Sequence, residues 1–171
     1  MNNSQVCFIG HHGTSALKAK KIDNEGFKEN DKIGWLGKGT YFFENNKELA
    51  FKWGKRRYSK ERVEVLTRNI MTAVNKVFDI SDPSKDDNKR FHKERNDLIE
   101  SLEKKGYRVH ADNIRQIEGS VIEEICREED YYLVRAFTYT FEDIDKRYGL
   151  NSGISNGIEL CVRKLKCIIN N

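Results

Sequence analysis

The alternation of apolar and polar positions predicts a strand at the start of the chain, in "QVCFIG". From Ser15, a candidate N-cap, Ala16, Ala19 and Ile22 recur at helical spacing until "NEGF", where Gly26 is the candidate C′ residue. A short strand follows in "GTYFF", and "NKELAFKWGKRR" sets Leu49, Ala50 and Trp53 on one side of a helix. "VEVLTRNIMTAV" predicts a strand, and "VFDISDPSKDD" a short extended piece that turns at Asp82–Pro83. Phe91, Leu98 and Leu102 form one stripe, predicting a helix over 87–105 that Gly106 ends. Val121, Ile122, Ile125 and Cys126 share a face of another, over about 117–128.

"YYLVRAFTYTF" is rich in aromatic and branched residues and predicts a strand. "EDIDKRYGLNSGISNG" has turn chemistry throughout and predicts a loop. In the closing "IELCVRKLKCII", Ile158, Leu160 and Val162 alternate with Glu159, Cys161 and Arg163. A period of two puts Glu159 on the face opposite the aliphatic trio, read here as the face away from the core. No repeat or regular strand–helix–strand alternation is present, so the fold class is α+β, one domain over 1–171.

Composition narrows the functional classes. No apolar run approaches the ~18–20 residues of a membrane span. The start "MNNSQVCFIG" lacks the basic and long apolar regions of a secretory leader, so a cytoplasmic protein with no membrane partner is expected. Cys7, Cys126, Cys161 and Cys167 are scattered and suit buried or half-buried thiols. With them, His11, His12, His92 and His110 supply no paired ligand spacing, so no metal is expected. Charge is uneven: residues 1–62 hold 13 Lys/Arg against 7 Asp/Glu, although the whole chain carries only +4. The densest run, "KWGKRRYSKER" at 52–62, suits either a phosphate backbone or a solvated helix end. Lys55, Arg56 and Arg57 are its candidate acceptor-binding residues.

Three motifs carry candidate chemistry. His12–Gly13–Thr14 closes the first strand, where a glycine lets a planar amide reach the backbone and the histidine can donate to a sugar hydroxyl. "GWLGKGTYFF" fails both the Walker pattern and G-x-G-x-x-G. What remains is a glycine-permitted bend at Gly39 that delivers Tyr41, a stacking surface worth ~1 kcal/mol beyond area burial. Glu159 is the third. Together they suit a nicotinamide riboside: Gly13 backbone on the carboxamide, Tyr41 on the ring and His12 on a ribose. Glu159 would accept from ribose hydroxyls and stabilise positive charge as the glycosidic bond breaks.

"HHGTSALKAKKIDNEGF", "WLGKGTYFFENNKELAFKW" and "GIELCVR" resemble the ADP-ribosyltransferase superfamily, in its diphtheria-toxin and poly(ADP-ribose) polymerase branch. The resemblance covers most of the chain, including Val134–Arg135–Ala136–Phe137 and Cys161–Val162–Arg163. It implies a split antiparallel sheet with flanking helices and an NAD cleft, and a His-Tyr-Glu triad at His12, Tyr41 and Glu159. It further implies NAD contacts from Gly13, Thr14 and Gly39. A second ring would come from Phe51 or Trp53, although Trp53 also suits a core anchor of its helix. His11 is given no role. Arginine-modifying relatives carry an acid two positions before the glutamate, where this chain has Gly157. The implied activity is mono-ADP-ribosyl transfer from NAD+ to a macromolecule, with a lean to RNA or DNA over protein. A toxin or anti-phage role, with an antitoxin partner, is implied as well. An NAD- or ADP-ribose-binding module, an NAD glycohydrolase and an RNA 2′-phosphotransferase are the alternatives.

Overall fold

The computed structural model describes residues 4–169. Met1–Asn3, on which the reading of a leaderless start partly rests, lie outside it, as do the last two residues. In chain order the elements are β1 (Gln5–Ser15), α1 (Ala16–Glu25), β2 (Thr40–Glu44), α2 (Lys47–Arg57), β3 (Val63–Ala73) and β4 (Val77–Asp79). There follow α3 (Asp86–Lys104), α4 (Ile114–Glu128), β5 (Leu133–Thr138), α5 (Asp143–Tyr148), β6 (Gly157–Val162) and β7 (Ile168–Ile169). The strands form a seven-stranded sheet in the order β4-β5-β6-β2-β1-β3-β7. Every neighbouring pair is antiparallel except β4 with β5, so the class is α+β.

The first strand is longer than its apolar run suggests. β3 pairs with it residue by residue from Gln5↔Ala73 to Ser15↔Val63, which holds "HHGTS" extended. The strand predicted in "QVCFIG" therefore runs on through His12–Gly13–Thr14, and α1 begins directly after it. Ser15 occupies the N-cap position but makes no capping bond, and its buried hydroxyl has no partner. Asn46 does cap α2, accepting from the Leu49 N–H at 2.9 Å.

Both faces of the sheet are covered. Phe78, Val134 and Cys161 pack under Phe91 of α3 and Val121, Ile122 and Ile125 of α4. On the opposite face Phe42, Ile70, Leu133, Leu160 and Val162 form a second cluster with Cys167 and Ile168. Leu49 and Ala50 of α2 close a third over Phe43 and Val65. Cys161 is fully buried, so the face that Glu159 shares with it is a second core rather than a solvated side. Leu160 and Val162 are equally buried, and each large aliphatic contributes about 1.5–3 kcal/mol. β6 is thus fixed from both sides next to Glu159.

Three further expectations change. Residues 143–148 are helical rather than loop: Glu142 and Asp145 form a reciprocal capping box, and Gly149 at φ 64° ends the turn. The closing stretch is two strands, because Arg163 leaves the ladder and a 3-10 turn at Leu165–Cys167 intervenes before β7. Cys7 is exposed, while Cys126, Cys161 and Cys167 are buried, and all four are free. Among the described residues no helix is long and apolar enough to cross a membrane.

Candidate functional site

The site begins where β1 and β2 part. They pair at Gly10↔Glu44 and His11↔Phe43, and the pairing stops there. β2 continues along β6, from Phe43↔Glu159 to Thr40↔Val162, while β1 continues along β3. Across the gap, His12 Nδ1 lies 2.8 Å from the Tyr41 carbonyl oxygen. A carbonyl only accepts, so Nδ1 carries the proton and the neutral ring leaves Nε2 as an acceptor. Burial lowers the His12 pKa, opposed by the Tyr41 bond and aided by Lys18, so the ring is neutral at physiological pH. The donor role expected of His12 toward a sugar hydroxyl becomes an acceptor role. Phe27 and Phe42 hold the ring in place, with centroids 5.4 and 5.6 Å away.

Tyr41 is built into a turn. Its hydroxyl accepts from the Leu36 N–H at 3.0 Å and donates to the Gly37 carbonyl at 2.8 Å. Gly34 and Gly37 exchange backbone bonds of 3.0 and 3.1 Å around it. A Cβ on Gly34 would sit 2.3 Å from that hydroxyl, so the glycine makes room for the phenol. Burial, then the neighbouring Cys161, raises the phenol's pKa, and it stays protonated. Outside this turn Arg163 grips Glu123 with two bonds of 2.6 and 2.9 Å and donates to the Lys38 carbonyl at 3.2 Å. Glu123 also accepts from the Lys38 N–H at 2.9 Å. A Cβ on Gly39 would meet the Val162 carbonyl at 2.6 Å, which explains the glycine as close packing on β6.

Glu159 is held from the far side of the chain. The indole Nε1 of Trp35 donates to its Oε2 at 3.0 Å. Burial raises the carboxyl's pKa above the ordinary range, opposed by hydrogen bonds from Thr138 and Trp35 and by the charge of Arg115. The result is a half-buried carboxylate whose orientation is set by an N–H donor.

These groups open onto one cavity of about 1060 Å³. Of the residues singled out in the sequence, His12, Gly13, Gly39, Tyr41, Trp53, Arg56, Arg57 and Glu159 line it. Thr14 and Lys55 do not: Thr14 is 1% exposed inside the fold, and the Lys55 ammonium sits over the Phe51 ring at 5.8 Å. Trp53 is 39% exposed and faces the cavity, which corrects its reading as a core anchor and separates it from Phe51. Gly13 has a packing reason too, since its Cβ would fall 1.9 Å from the Ala50 carbonyl oxygen of α2. Trp35, Thr138 and Arg115 were not singled out in the sequence. A half-buried indole calls for an acceptor, but nothing in the spacing names Glu159, 124 residues away. No family model, curated protein or solved structure matches the chain.

The chemistry available is specific in kind. An acceptor imidazole suits a hydroxyl, the half-buried Tyr41 ring and the exposed Trp53 ring suit flat rings, and the lining cations suit phosphate. The buried carboxylate suits positive charge developing on a bound substrate.

Proposed function

We propose that the chain is an ADP-ribosyltransferase of the His-Tyr-Glu kind, which cleaves NAD+ and passes ADP-ribose to a macromolecular acceptor. The observation that carries this reading is the meeting of His12, Tyr41 and Glu159, from three separate strands, in a cavity large enough for a dinucleotide. The strand split at their meeting point supports an ADP-ribosyltransferase-like sheet. The fit to NAD+ rests on the donor set. His12 Nε2 accepts from a ribose hydroxyl, Tyr41 or Trp53 stacks on a ring, and cations at the rim take the pyrophosphate.

In the reaction the bond between the nicotinamide nitrogen and C1′ breaks, and nicotinamide leaves with the electron pair. An acceptor nitrogen or oxygen bonds to C1′ and gives its proton to solvent. Glu159 stabilises the positive charge on the ribose between these events, and Trp35 keeps its carboxylate aimed. Arg163 and Glu123 fix the turn that carries Tyr41.

The test is nicotinamide release from NAD+ by the purified protein, with Glu159→Gln alongside. Release by the wild type, reduced at least a hundredfold in the variant, is expected from losing one electrostatic group in a site of this kind, roughly 10²–10³ in rate. Equal release by both proteins defeats the assignment. Binding of NAD+ with no release makes the chain a binding module, and release with no labelled macromolecule makes it a glycohydrolase.

A further inference from the structure

The cavity rim holds an excess of unpaired cations. Lys18 and Lys21 come from α1, Arg56 and Arg57 from α2, and Arg115 from the start of α4. None of the five has a carboxylate within ion-pair distance among the described residues, whereas Arg68, Arg90, Arg135 and Arg163 each do. Glu159 is the single carboxylate among the residues lining the cavity. Five cations from three elements exceed what one pyrophosphate needs. Leaving them unpaired sets up self-repulsion that a polyanion relieves.

The basic run read from the sequence is divided by the structure. Lys52 pairs with Glu48 at 3.0 Å and with Glu142 at 3.3 Å, and Arg62 lies 3.5 Å from Glu64. Glu142 and Asp143 border a neighbouring hollow with Lys52 and Lys55, which meets the strip at Arg56 and Phe141. Of that run's cations, Arg56 and Arg57 line the cavity, where α1 and α4 add cations distant in sequence. Aromatic surfaces stand among them: Trp53 on α2, and Tyr139 and Phe141, whose centroids are 5.7 Å apart.

We infer that this strip is the seat of a single-stranded nucleic acid, the acceptor in the transfer reaction, with phosphodiesters on the cations and bases stacked on the aromatics. The pattern is that of single-strand sites, in which a positive groove follows the backbone and rings stack on aromatic side chains. The inference rests on the transferase reading above and names its acceptor. The transfer balances as before: a base nitrogen or a hydroxyl of the strand bonds to C1′ and loses its proton to solvent, as nicotinamide leaves.

The experiment incubates the protein with NAD+ labelled in the ADP-ribose half and, in separate arms, a single-stranded RNA of about 12 nucleotides, the matching DNA, and nuclease-treated lysate protein. Nicotinamide release and oligonucleotide affinity are measured in the same samples, the latter across a salt series. Label on the RNA or the DNA is expected, and the labelled arm identifies the source of the strand. Affinity should fall with salt at a logarithmic slope of about −0.7 per phosphate contacted. The Lys21→Glu/Arg57→Glu variant should bind the strand at least tenfold more weakly, with a shallower slope. These positions are exposed, so folding is checked by circular dichroism and the wild-type salt series stands as an independent measure. Nicotinamide release with label on lysate protein alone overturns the inference and leaves the transferase reading standing. Unchanged affinity in the folded variant overturns it as well. A strand bound with charge-dependent affinity but no nicotinamide release overturns the transferase reading and leaves the polyanion seat in place.

Discussion

The His12 imidazole donates from Nδ1 to the Tyr41 carbonyl at 2.8 Å, across the point where β1 and β2 cease to pair. A side chain thus bridges strands where the backbone ladder has ended. Burial lowers this ring's pKa below its ordinary 6.5. For a histidine with a lowered folded pKa, the contribution to stability is present above the unfolded value and lost as pH falls through the folded value. The urea midpoint of the wild type should therefore drop as pH falls below about 6.5, and His12→Gln should lose less on the same descent. His11, lowered by burial and by Lys47, remains in both proteins, so the difference between the two curves isolates His12. Parallel curves count against a buried neutral ring.

Trp35 should act on the reaction through Glu159. Trp35→Phe removes the indole donor from Oε2 and with it one of the bonds that hold the carboxyl in its ionised form. The acidic limb of the kcat profile should move to higher pH. kcat should fall roughly 10–100-fold with KM little changed, the scale of a hydrogen bond to a charged group. A change in KM alone would make Trp35 a substrate contact instead.

Glu159 costs stability when ionised, because burial raises its folded pKa above the unfolded one. With that sign, its contribution is full below the unfolded pKa and is lost as pH rises through the folded pKa. Glu159→Gln keeps the shape and an acceptor for Trp35. At neutral pH it should raise Tm by about 2–4 °C, the shift that accompanies about 1 kcal/mol in a domain of this size. A lower Tm would mean that the ionised carboxylate stabilises the fold.

Tyr41→Phe tests the turn rather than the ring. The phenol accepts from Leu36 and donates to Gly37, so its loss strands the Leu36 N–H, while the Gly37 carbonyl keeps the Gly34 N–H. A cost of about 1–3 kcal/mol is expected by urea unfolding, with stacking on the ligand retained. An unchanged unfolding free energy would make the hydroxyl bonds dispensable to the fold.

Gly13→Ala places a methyl 1.9 Å from the Ala50 carbonyl oxygen, where backbone meets backbone and neither can rotate away. A destabilisation of about 3 kcal/mol or more is expected, at the upper end of overpacking. A mild effect would show that α2 can lift from β1.

The sequence made the strands and most helices legible because burial there follows one period per element. α5 escaped because its box uses Glu142 and Asp145 in place of the usual hydroxyl and Glu/Gln, inside a stretch full of turn residues. The length of β1 escaped because it depends on pairing with β3, which is distant in sequence. His12, Tyr41 and Glu159 were legible as motifs, and the structure brings them into one cavity. Trp53 could not be told from Phe51, since both lie on the exposed part of α2 and the choice depends on which side faces the cavity. Trp35 reaches Glu159 only through the folded turn at Gly34–Gly37, and no local pattern records that contact.

The brief pairing of β1 with β2 has a mechanical consequence. The half-sheets β4-β5-β6-β2 and β1-β3-β7 join through a neck two residue pairs long, and the cavity is the notch beside it. A molecule gripping Gly13 and His12 on one plate and Glu159 on the other would act as an extra rung. Occupancy should then stiffen the neck, and amide exchange at His11 and Phe43 should slow when the notch is filled. The protein would sense its ligand as resistance to bending.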